Sequence, residues 1–337
     1  MTDTGTDAST EKNVVTAIRD ALHDEMVADD RVLLLGEDVG NRGGVFRVSV
    51  GWMEEFGEER VIDTPLAESG IVGVAIGMAI RGLRPVAEIQ FADFIHPAFD
   101  QIVSEAARIR YRSNGAFSCP LVIRAPCGGG IHGALYHSQS IEAFYAHVPG
   151  LKVVMPSTPA DAAGLLRTAI ADPDPVLFLE HKKTYRAITG PVPDGARGVP
   201  IGRADVKRTG TDLTCISYGY SLHTCLDAAA RLHDDEGISV EVVDVRSLAP
   251  LDVETILDSV RRTSRAMVVY EDNRTYGAGA EIAATIAERA MYQLDAPIVR
   301  IGGPDIPAMP FATPLEHFYM EPEPDQVYRQ MLELVRH

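Results

Sequence analysis

Short apolar runs alternate with longer segments of helical periodicity along the first half of the chain. Nearly continuous apolar runs predict strands that are buried on both faces of a sheet. Helical spacing is clearest where Val14, Ile18, Leu22 and Met26 share one face. This alternation predicts a mostly parallel sheet with helices on both sides. The predicted strands are 32–36, 85–91, 121–126, 151–156 and 175–180, and the predicted helices are 13–27, 97–112 and 158–171.

A stretch rich in glycine and proline interrupts this pattern, and we interpret residues 189–205 as a linker between two domains. The alternation then restarts, so we predict an α/β fold with two doubly wound, mostly parallel sheet domains, over residues 12–188 and 206–337. The polar residues 1–11 are interpreted as a disordered leader. The later predicted strands are 213–219, 239–245, 265–272 and 297–303, with helices near 221–235, 252–262 and 278–293.

The chain carries 48 acidic and 31 basic residues, a formal charge of −17. Such a charge repels a phosphate backbone, so no nucleic-acid partner is expected. The longest apolar stretch, residues 71–80, is far shorter than the roughly 20 residues that a membrane-spanning helix needs. Four cysteines lie in apolar segments and form no CxxC pair. These features indicate a cytoplasmic protein with reduced thiols and no membrane partner.

The segment GGGIHG, residues 128–133, matches the GxGxxG pattern and follows a predicted strand, so a dinucleotide-binding oxidoreductase is an alternative. The match is weak because the glycines lead into no helix and the next strand ends without an acid. Three histidines, His132, His137 and His147, lie within sixteen residues, but their spacings fit no common zinc motif. His137 has the most polar neighbours, and catalytic groups favour loops on a rigid scaffold. His137 is therefore a candidate catalytic residue.

Glu68 stands in the first turn of a predicted helix that begins near Ala67 and ends near Gly82. The helix dipole favours an acid in a first turn, and this effect alone explains most such residues. A carboxylate beside so many apolar neighbours, however, needs a partner that justifies its burial. The local sequence leaves both interpretations open: a helix-stabilising acid or a functional carboxylate.

A series of motifs, in order, resembles the beta subunit of the thiamine-diphosphate-dependent 2-oxoacid dehydrogenases, the decarboxylating component of the pyruvate and branched-chain complexes. The resemblance covers the chain from about residue 12 to the C-terminus. It implies a transketolase-like chain, with a pyrimidine-binding domain followed by a transketolase C-terminal domain. The motifs are GEDVG (36–40), GGVFR (43–47), DTPLAESGIVGVAIG (63–77), EIQFADFIHPAFDQIVSEAA (88–107), ALYHSQSIEAF (134–144), PGLKVVMPSTPADAAGLL (149–166) and VEVVDVRSLAPLD (240–252).

The resemblance implies that Glu68 hydrogen-bonds a ring nitrogen of the cofactor's aminopyrimidine and so promotes removal of the thiazolium proton. Glu37 matches a second acid, which helps to link protons between distant active sites. Leu66 and Gln90 match positions that line the pyrimidine pocket, and Phe94 stands where many members of the family have a tyrosine. His137 matches a histidine near the thiazolium, contributed across a subunit interface, that moves protons during acyl transfer to a lipoyl group.

The resemblance also implies a potassium ion that is held by backbone carbonyl groups. Carbonyl ligands leave little trace in the side chains, and an asparagine common near the last position is replaced here by aspartate. The matching positions are Cys119, Leu121, Val122, Ala169, Asp172 and Asp174.

The chain contains no GDG motif, with which thiamine enzymes anchor the diphosphate and its magnesium. The resemblance therefore implies an alpha subunit that holds Mg²⁺, an α2β2 heterotetramer, and a lipoyl acyltransferase core as a further partner. The expected reaction is oxidative decarboxylation of a 2-oxoacid, with a branched-chain acid favoured over pyruvate, and acetoin dehydrogenase is a related alternative. A non-catalytic assembly subunit of the same fold is a more distant alternative, against which the presence of both Glu68 and His137 argues.

Overall fold

The computed structural model describes residues 9–194, 198–320 and 322–337. Two mostly parallel sheets are flanked by helices, as the hydrophobic pattern predicts. The strands are β1 (Ser9–Asn13), β2 (Val32–Gly36), β3 (Val61–Asp63), β4 (Arg84–Glu88), β5 (Val122–Cys127), β6 (Lys152–Val154), β7 (Val176–His181), β8 (Thr189–Pro193), β9 (Asp205–Arg208), β10 (Leu213–Ser217), β11 (Val240–Asp244), β12 (Ser247–Ala249), β13 (Ala266–Asn273) and β14 (Val299–Gly303). The α-helices are α1 (Val14–Ala28), α2 (Trp52–Phe56), α3 (Glu68–Ile80), α4 (Ile109–Arg112), α5 (Glu142–Ala146), α6 (Pro159–Ala171), α7 (Thr184–Ala187), α8 (Ser221–Glu236), α9 (Val253–Thr263), α10 (Ala278–Ala290), α11 (Thr313–Met320) and α12 (Pro324–Arg336).

The first sheet has seven strands in the order β12-β6-β7-β5-β4-β2-β3. All of its pairs are parallel except β12 with β6. The chain passes from β2 to β3 on one side and then returns through α3 to β4 on the other side of β2. This reversal leaves a crevice outside the carboxyl ends of β2 and β4, which is where ligands of doubly wound sheets bind.

The second sheet has the order β14-β13-β10-β11-β9, and only β9 runs antiparallel to its neighbour. The chain of the second domain also contributes β12 to the first sheet, where Ser247 pairs with Val154 and Ala249 with Val153. One cluster of buried apolar side chains continues from Leu35 in the first sheet to Val268 in the second. The two domains therefore share both a sheet and a core.

Two of the predicted boundaries are wrong in the described residues. The leader was predicted to end at residue 11, but residues 9–11 belong to β1; residues 1–8 lie outside the described residues. The linker was predicted to cover 189–205, but β8 occupies its start and β9 begins at its end, while 195–197 lie outside the described residues. Strands β1 and β8 pair antiparallel, from Ser9 with Pro193 to Asn13 with Thr189. The pairing satisfies backbone groups in a polar segment that has no apolar alternation to reveal it.

The predicted helix at 97–112 is helical but not a single α-helix. It divides into a 3₁₀ turn at His96–Ala98, a π-helical segment at Gln101–Ala106 and the short helix α4. All these forms keep one apolar face inward, so the pattern of buried residues does not distinguish their hydrogen-bond registers.

Within the described ranges, no helix combines the length and the apolar character that crossing a bilayer requires.

Candidate active site

Four neighbouring strands of the first sheet bring predicted site residues to the same edge. Glu37 directly follows β2, and Glu68 follows β3 as the first residue of α3. Gln90 lies just after β4, and His137 lies in the loop that follows β5. Because these strands are parallel and adjacent, their carboxyl ends open into one crevice. The structure thus gathers residues that are separated by up to a hundred positions in sequence.

Two carboxylates, Glu37 and Glu68, influence each other in this crevice. Burial raises the pKa of Glu37, and the nearby carboxylates of Asp38 and Glu68 raise it further. Glu37 therefore holds a proton at pH values where an ordinary glutamate has lost it. Glu68 is half-buried, and its carboxylate makes no hydrogen bond with the residues that the structure describes. Its carboxylate is thus available to a ligand.

The surroundings of Glu68 form an open apolar surface. Leu66 exposes 73% of its surface, and Val74 on the outer face of α3 exposes 54%. On the same face Gly70, Gly73 and Gly77 are exposed, and the space where a Cβ atom would project from Gly77 is empty to 4 Å. Among the described residues, four cavities of about 430 to 670 Å³ lie elsewhere and are lined by neither Glu68 nor His137. This part of the crevice is therefore an open surface and not an enclosed cavity.

Residues that follow β4 contact both Glu37 and His137. Gln90 donates a long hydrogen bond from Nε2 to the carbonyl oxygen of Glu37, at 3.4 Å. Phe94 lies in a 3₁₀ turn, with its ring 5.8 Å from that of Phe91 and 5.4 Å from the imidazole of His137. Phe91 meets the same imidazole edge-on at 4.5 Å. These contacts hold the imidazole in an apolar setting beside the carboxyl end of β4.

The hydrogen bond of His137 decides which ring nitrogen is available for chemistry. Its Nδ1 lies 3.3 Å from the carbonyl oxygen of Gly133. A carbonyl can only accept, so Nδ1 carries the proton in this arrangement, and the neutral ring leaves Nε2 as its basic nitrogen. The side chain can therefore accept and return a proton at Nε2.

A buried ion triad makes the floor of the crevice rigid. Arg124 of β5 donates from Nη1 to Glu88 of β4 and from Nε to Glu180 of β7, each at 2.7 Å. All three side chains are almost completely buried. Two charged neighbours compensate the guanidinium, which would otherwise be costly to bury. The carboxyl ends of three adjacent strands are thus fixed relative to one another.

The structure gives a physical reason against the dinucleotide interpretation of residues 128–133. Gly128 and Gly130 have φ angles of +77° and +87°, and the loop continues into a 3₁₀ turn at Ala134–Tyr136. The backbone N–H groups of Gly129 and Gly130, which would face a pyrophosphate, instead donate to protein carboxylates.

In the described part of the chain, the histidines, cysteines and acids form no cluster that could hold a metal ion.

The predicted potassium residues converge at one corner of the first sheet. The N–H of Cys119 donates to the carbonyl of Pro173 at 3.1 Å, and that of Asp172 donates to the carbonyl of Ala169 at 3.3 Å. The carbonyls of Cys119 and Leu121 also accept backbone N–H groups, from Leu121 and Val176. The carbonyls of Cys119, Leu121 and Ala169 are thus each engaged in one backbone hydrogen bond, which leaves each oxygen one further lone pair.

The acidic side chains at this corner are already paired with bases. Lys152 donates to both oxygens of Asp172 at 2.6 Å, and Arg110 donates from Nε to Asp174 at 2.5 Å. A cation at this corner would therefore depend on the carbonyl groups and not on free carboxylates.

Comparison with known proteins identifies the family. Residues 10–187 match the transketolase pyrimidine-binding domain, and residues 202–327 match the transketolase C-terminal domain. The chain is 57% identical to the 2-oxoisovalerate dehydrogenase subunit beta of Bacillus subtilis (strain 168), covering 95% of this chain and 97% of that one. The chain belongs to the 2-oxoacid dehydrogenase beta-subunit family.

Other members of the beta-subunit family are nearly as similar. The chain is 51% identical to the pyruvate dehydrogenase E1 component subunit beta of Bacillus subtilis (strain 168), over 87% of this chain and 90% of that one. It is 49% identical to the 3-methyl-2-oxobutanoate dehydrogenase subunit beta of Mycobacterium tuberculosis (strain ATCC 25618 / H37Rv), over 93% and 89%. The fold also matches a solved split-gene transketolase, described as an inactive beta4 tetramer, with a TM-score of 0.74 and 24% identity over 96% and 98%. The predicted family and fold are confirmed.

The sequence interpretation missed four buried charged residues of this beta subunit, namely Asp93, Lys182, Glu271 and Glu316. The three acids accept hydrogen bonds from backbone N–H groups in the loop that carries His137. Lys182 lies among these acids. Lys182 directly follows β7, and Glu271 lies near the end of β13. Their position at carboxyl ends of strands is a signal that could have found them.

Proposed function

We propose that this beta subunit takes part in the oxidative decarboxylation of a branched-chain 2-oxoacid and in acyl transfer to lipoyl groups of an acyltransferase core. The observation that carries the proposal is the gathering of Glu37, Glu68 and His137 at the carboxyl ends of adjacent parallel strands, with Phe91 and Phe94 packed against the imidazole. Two carboxyl groups stand at one place on this edge and an imidazole at another, which suits a reaction with two proton-transfer stages. The similarity to the 2-oxoisovalerate enzyme of Bacillus subtilis favours the branched-chain substrate.

Membership of the family implies dependence on thiamine diphosphate, and the crevice fits its aminopyrimidine ring. Leu66 offers an exposed apolar surface, Phe94 a half-buried ring, and Glu68 a carboxylate without a protein partner in the described chain. When bound, thiamine diphosphate supplies the carbanion that attacks the 2-oxoacid. In our proposal, Glu68 keeps a proton shared at the pyrimidine ring nitrogen, Gln90 lines the ring, and Glu37 takes up protons close to Glu68.

An alpha subunit is proposed to complete the site. The chain lacks the GDG motif, so the diphosphate and Mg²⁺ are assigned to the partner. The apolar, glycine-bearing face of α3 is exposed beside Glu68 and suits close contact with another chain. We propose an α2β2 heterotetramer that docks on a lipoyl acyltransferase core. The four free, buried cysteines agree with the proposed cytoplasmic location.

Co-expression with a GDG-containing alpha subunit tests this proposal and the substrate. The assembly should use branched 2-oxoacids at least roughly tenfold better than pyruvate by kcat/KM, because the larger side chain fills an apolar pocket. Acetoin should be a poor substrate. The beta subunit alone is the control and should show no turnover.

A preference for pyruvate or acetoin would overturn the substrate assignment. Turnover by the beta subunit alone would contradict the shared cofactor site, and a correctly assembled complex that is inactive on all three substrates would favour the non-catalytic alternative.

We also propose that K⁺ binds backbone carbonyl groups around Cys119, Leu121, Val122, Ala169, Asp172 and Asp174. A cation that binds only the folded chain should raise Tm by a few degrees when KCl replaces tetramethylammonium chloride at equal ionic strength. Differential scanning fluorimetry of the full chain measures this shift. LiCl serves as a size control, because Li⁺ is too small for a carbonyl cage shaped for K⁺. Equal Tm values in all three salts would rule the site out.

A further inference from the structure

The loop that carries His137 is held by acids of the second domain. This segment, residues 128–140, joins β5 to α5 and is called here the histidine loop. Glu271 of β13 accepts the N–H of Gly129 at 2.9 Å and the hydroxyl of Ser140 at 3.0 Å with the same oxygen. Its other oxygen lies 2.7 Å from Nε2 of His181. One buried carboxylate thus accepts hydrogen bonds from both ends of the loop.

Glu316 accepts hydrogen bonds from the middle of the loop. It projects from α11, its side chain is completely buried, and one oxygen accepts the N–H groups of Gly130 and His132, each at 3.1 Å. The carboxylate also contacts the imidazole of His132. His132 has a φ of +56°, a left-handed conformation that is unfavourable for a residue with a side chain. The two hydrogen bonds that Glu316 accepts from the loop help to offset that cost.

A third carboxylate, from the first domain, holds the loop beside the catalytic candidate. Asp93 accepts the N–H groups of Ser138 and Gln139, both at 3.3 Å, which are the two residues after His137. Lys182 is buried among Asp93, Glu271 and Glu316, and its ammonium makes no hydrogen bond within the described residues. Burial lowers the pKa of Lys182, and the three carboxylates, which would otherwise repel one another, oppose this by favouring its charged form.

The charged state of Glu271 is consistent with this role. Burial alone would raise its pKa, but His181 and the hydrogen bonds from Gly129 and Ser140 outweigh burial and hold the pKa below its usual value. The carboxylate therefore stays ionised at neutral pH and makes charge-assisted hydrogen bonds, which are stronger than neutral ones. Glycine loops of this kind are otherwise among the more mobile parts of a fold.

The hydrogen bonds that hold the histidine loop matter for His137, because that side chain has few other contacts. Within the described residues, its imidazole is contacted by the rings of Phe91 and Phe94 and makes one hydrogen bond, to Gly133 of the same loop. The position of Nε2 therefore depends on the position of the loop as well as on these two rings. A shift of about 1 Å in a reacting group can reduce a rate about 100-fold.

We infer that Glu316 and Glu271 are positioning residues, which hold the histidine loop from the second domain so that Nε2 of His137 faces the acyl-transfer site. The inference rests on the proposed function of His137 in lipoyl acylation. It extends that function by making the rate of acylation depend on α11 and β13, outside the pyrimidine-binding domain. Neither glutamate is expected to touch substrate or cofactor.

Glu316→Ala and Glu316→Gln, in the full chain assembled with the alpha subunit, test the inference. Hydrogen–deuterium exchange of peptides from residues 128–140 should be about tenfold faster in the alanine variant and about threefold faster in the glutamine variant, which keeps one acceptor oxygen. Lipoyl acylation should fall about tenfold in the alanine variant, with partial rescue by glutamine. Decarboxylation with an artificial electron acceptor should change less than about twofold. Glu288→Ala, which removes an exposed acid from α10, is the matched control and should leave all three readouts unchanged.

Unchanged exchange in both Glu316 variants would overturn the inference, as would equal losses of acylation and artificial-acceptor decarboxylation. If the alanine variant fails to assemble, the glutamine variant alone must still show faster exchange and slower lipoyl acylation than the wild type. A wild-type complex without decarboxylation would instead refute the proposed function. The exchange data would still decide whether Glu316 holds the loop.

Discussion

Replacing Glu68 by glutamine is expected to lower decarboxylation by the assembled enzyme about 1,000-fold. The amide keeps the size and polarity of the side chain but cannot share a proton with a ring nitrogen as a carboxylate does. Folding and assembly should be intact, because Glu68 makes no hydrogen bond that the described chain would lose. Turnover with an artificial acceptor measures the effect, and thermal melting and size-exclusion chromatography confirm the assembly.

The matched control for this variant is Glu58→Gln, an exposed acid of the same domain. Its activity should stay within about twofold of wild type, since surface substitutions of this kind have small effects. Near-normal turnover of Glu68→Gln would show that the carboxylate serves only as a first-turn acid of α3, which is the other interpretation that the local sequence allows.

Replacing His137 by alanine is expected to reduce lipoyl acylation about 100-fold and artificial-acceptor decarboxylation less than about tenfold. The change removes the basic Nε2, while the apolar rings of Phe91 and Phe94 and the acidic end of the crevice are kept. Parallel assays with a lipoylated domain and with an artificial acceptor measure the two activities on one preparation.

His147→Ala is the control for this second variant, because it removes an exposed histidine from the same part of the chain. Both of its activities should be close to wild type. If His137→Ala lost both activities equally, the imidazole would act before or during decarboxylation, and its assignment to acyl transfer would be wrong.

The hydrophobic pattern predicted the main elements because buried parallel strands and amphipathic helices leave periodic signals. Strand β7 and helix α8 begin and end within about two residues of their predicted limits. Strands β1 and β12 were missed for different reasons. The first is polar and exposed, and the second is only three residues long. Both are specified by backbone pairing with distant segments, which leaves no local pattern.

The residues around the proposed cofactor were found through family motifs, and their individual roles stay predictions. The structure adds that Glu37, Glu68, Gln90 and His137 lie along one crevice. The charged residues that hold the histidine loop could not be found in this way. Glu316 is 184 positions from His132, and its partners are backbone N–H groups, which every sequence possesses. The position of Glu271 near the end of a strand marks it as a candidate, but only the three-dimensional arrangement shows what Glu316 holds.

The pairing of β12 with β6 means that the two domains are not interchangeable modules. A hybrid that joins the first domain to a second domain from another source must also supply a strand that fits the edge of β6. Without it, the unpaired backbone groups of Val153 and Val154 would form an open sheet edge, which invites association between chains. The same hybrid would need an acid equivalent to Glu316 to hold the loop of the other half. Exchange of substrate preference between such enzymes is therefore better attempted by changing whole chains than by joining halves.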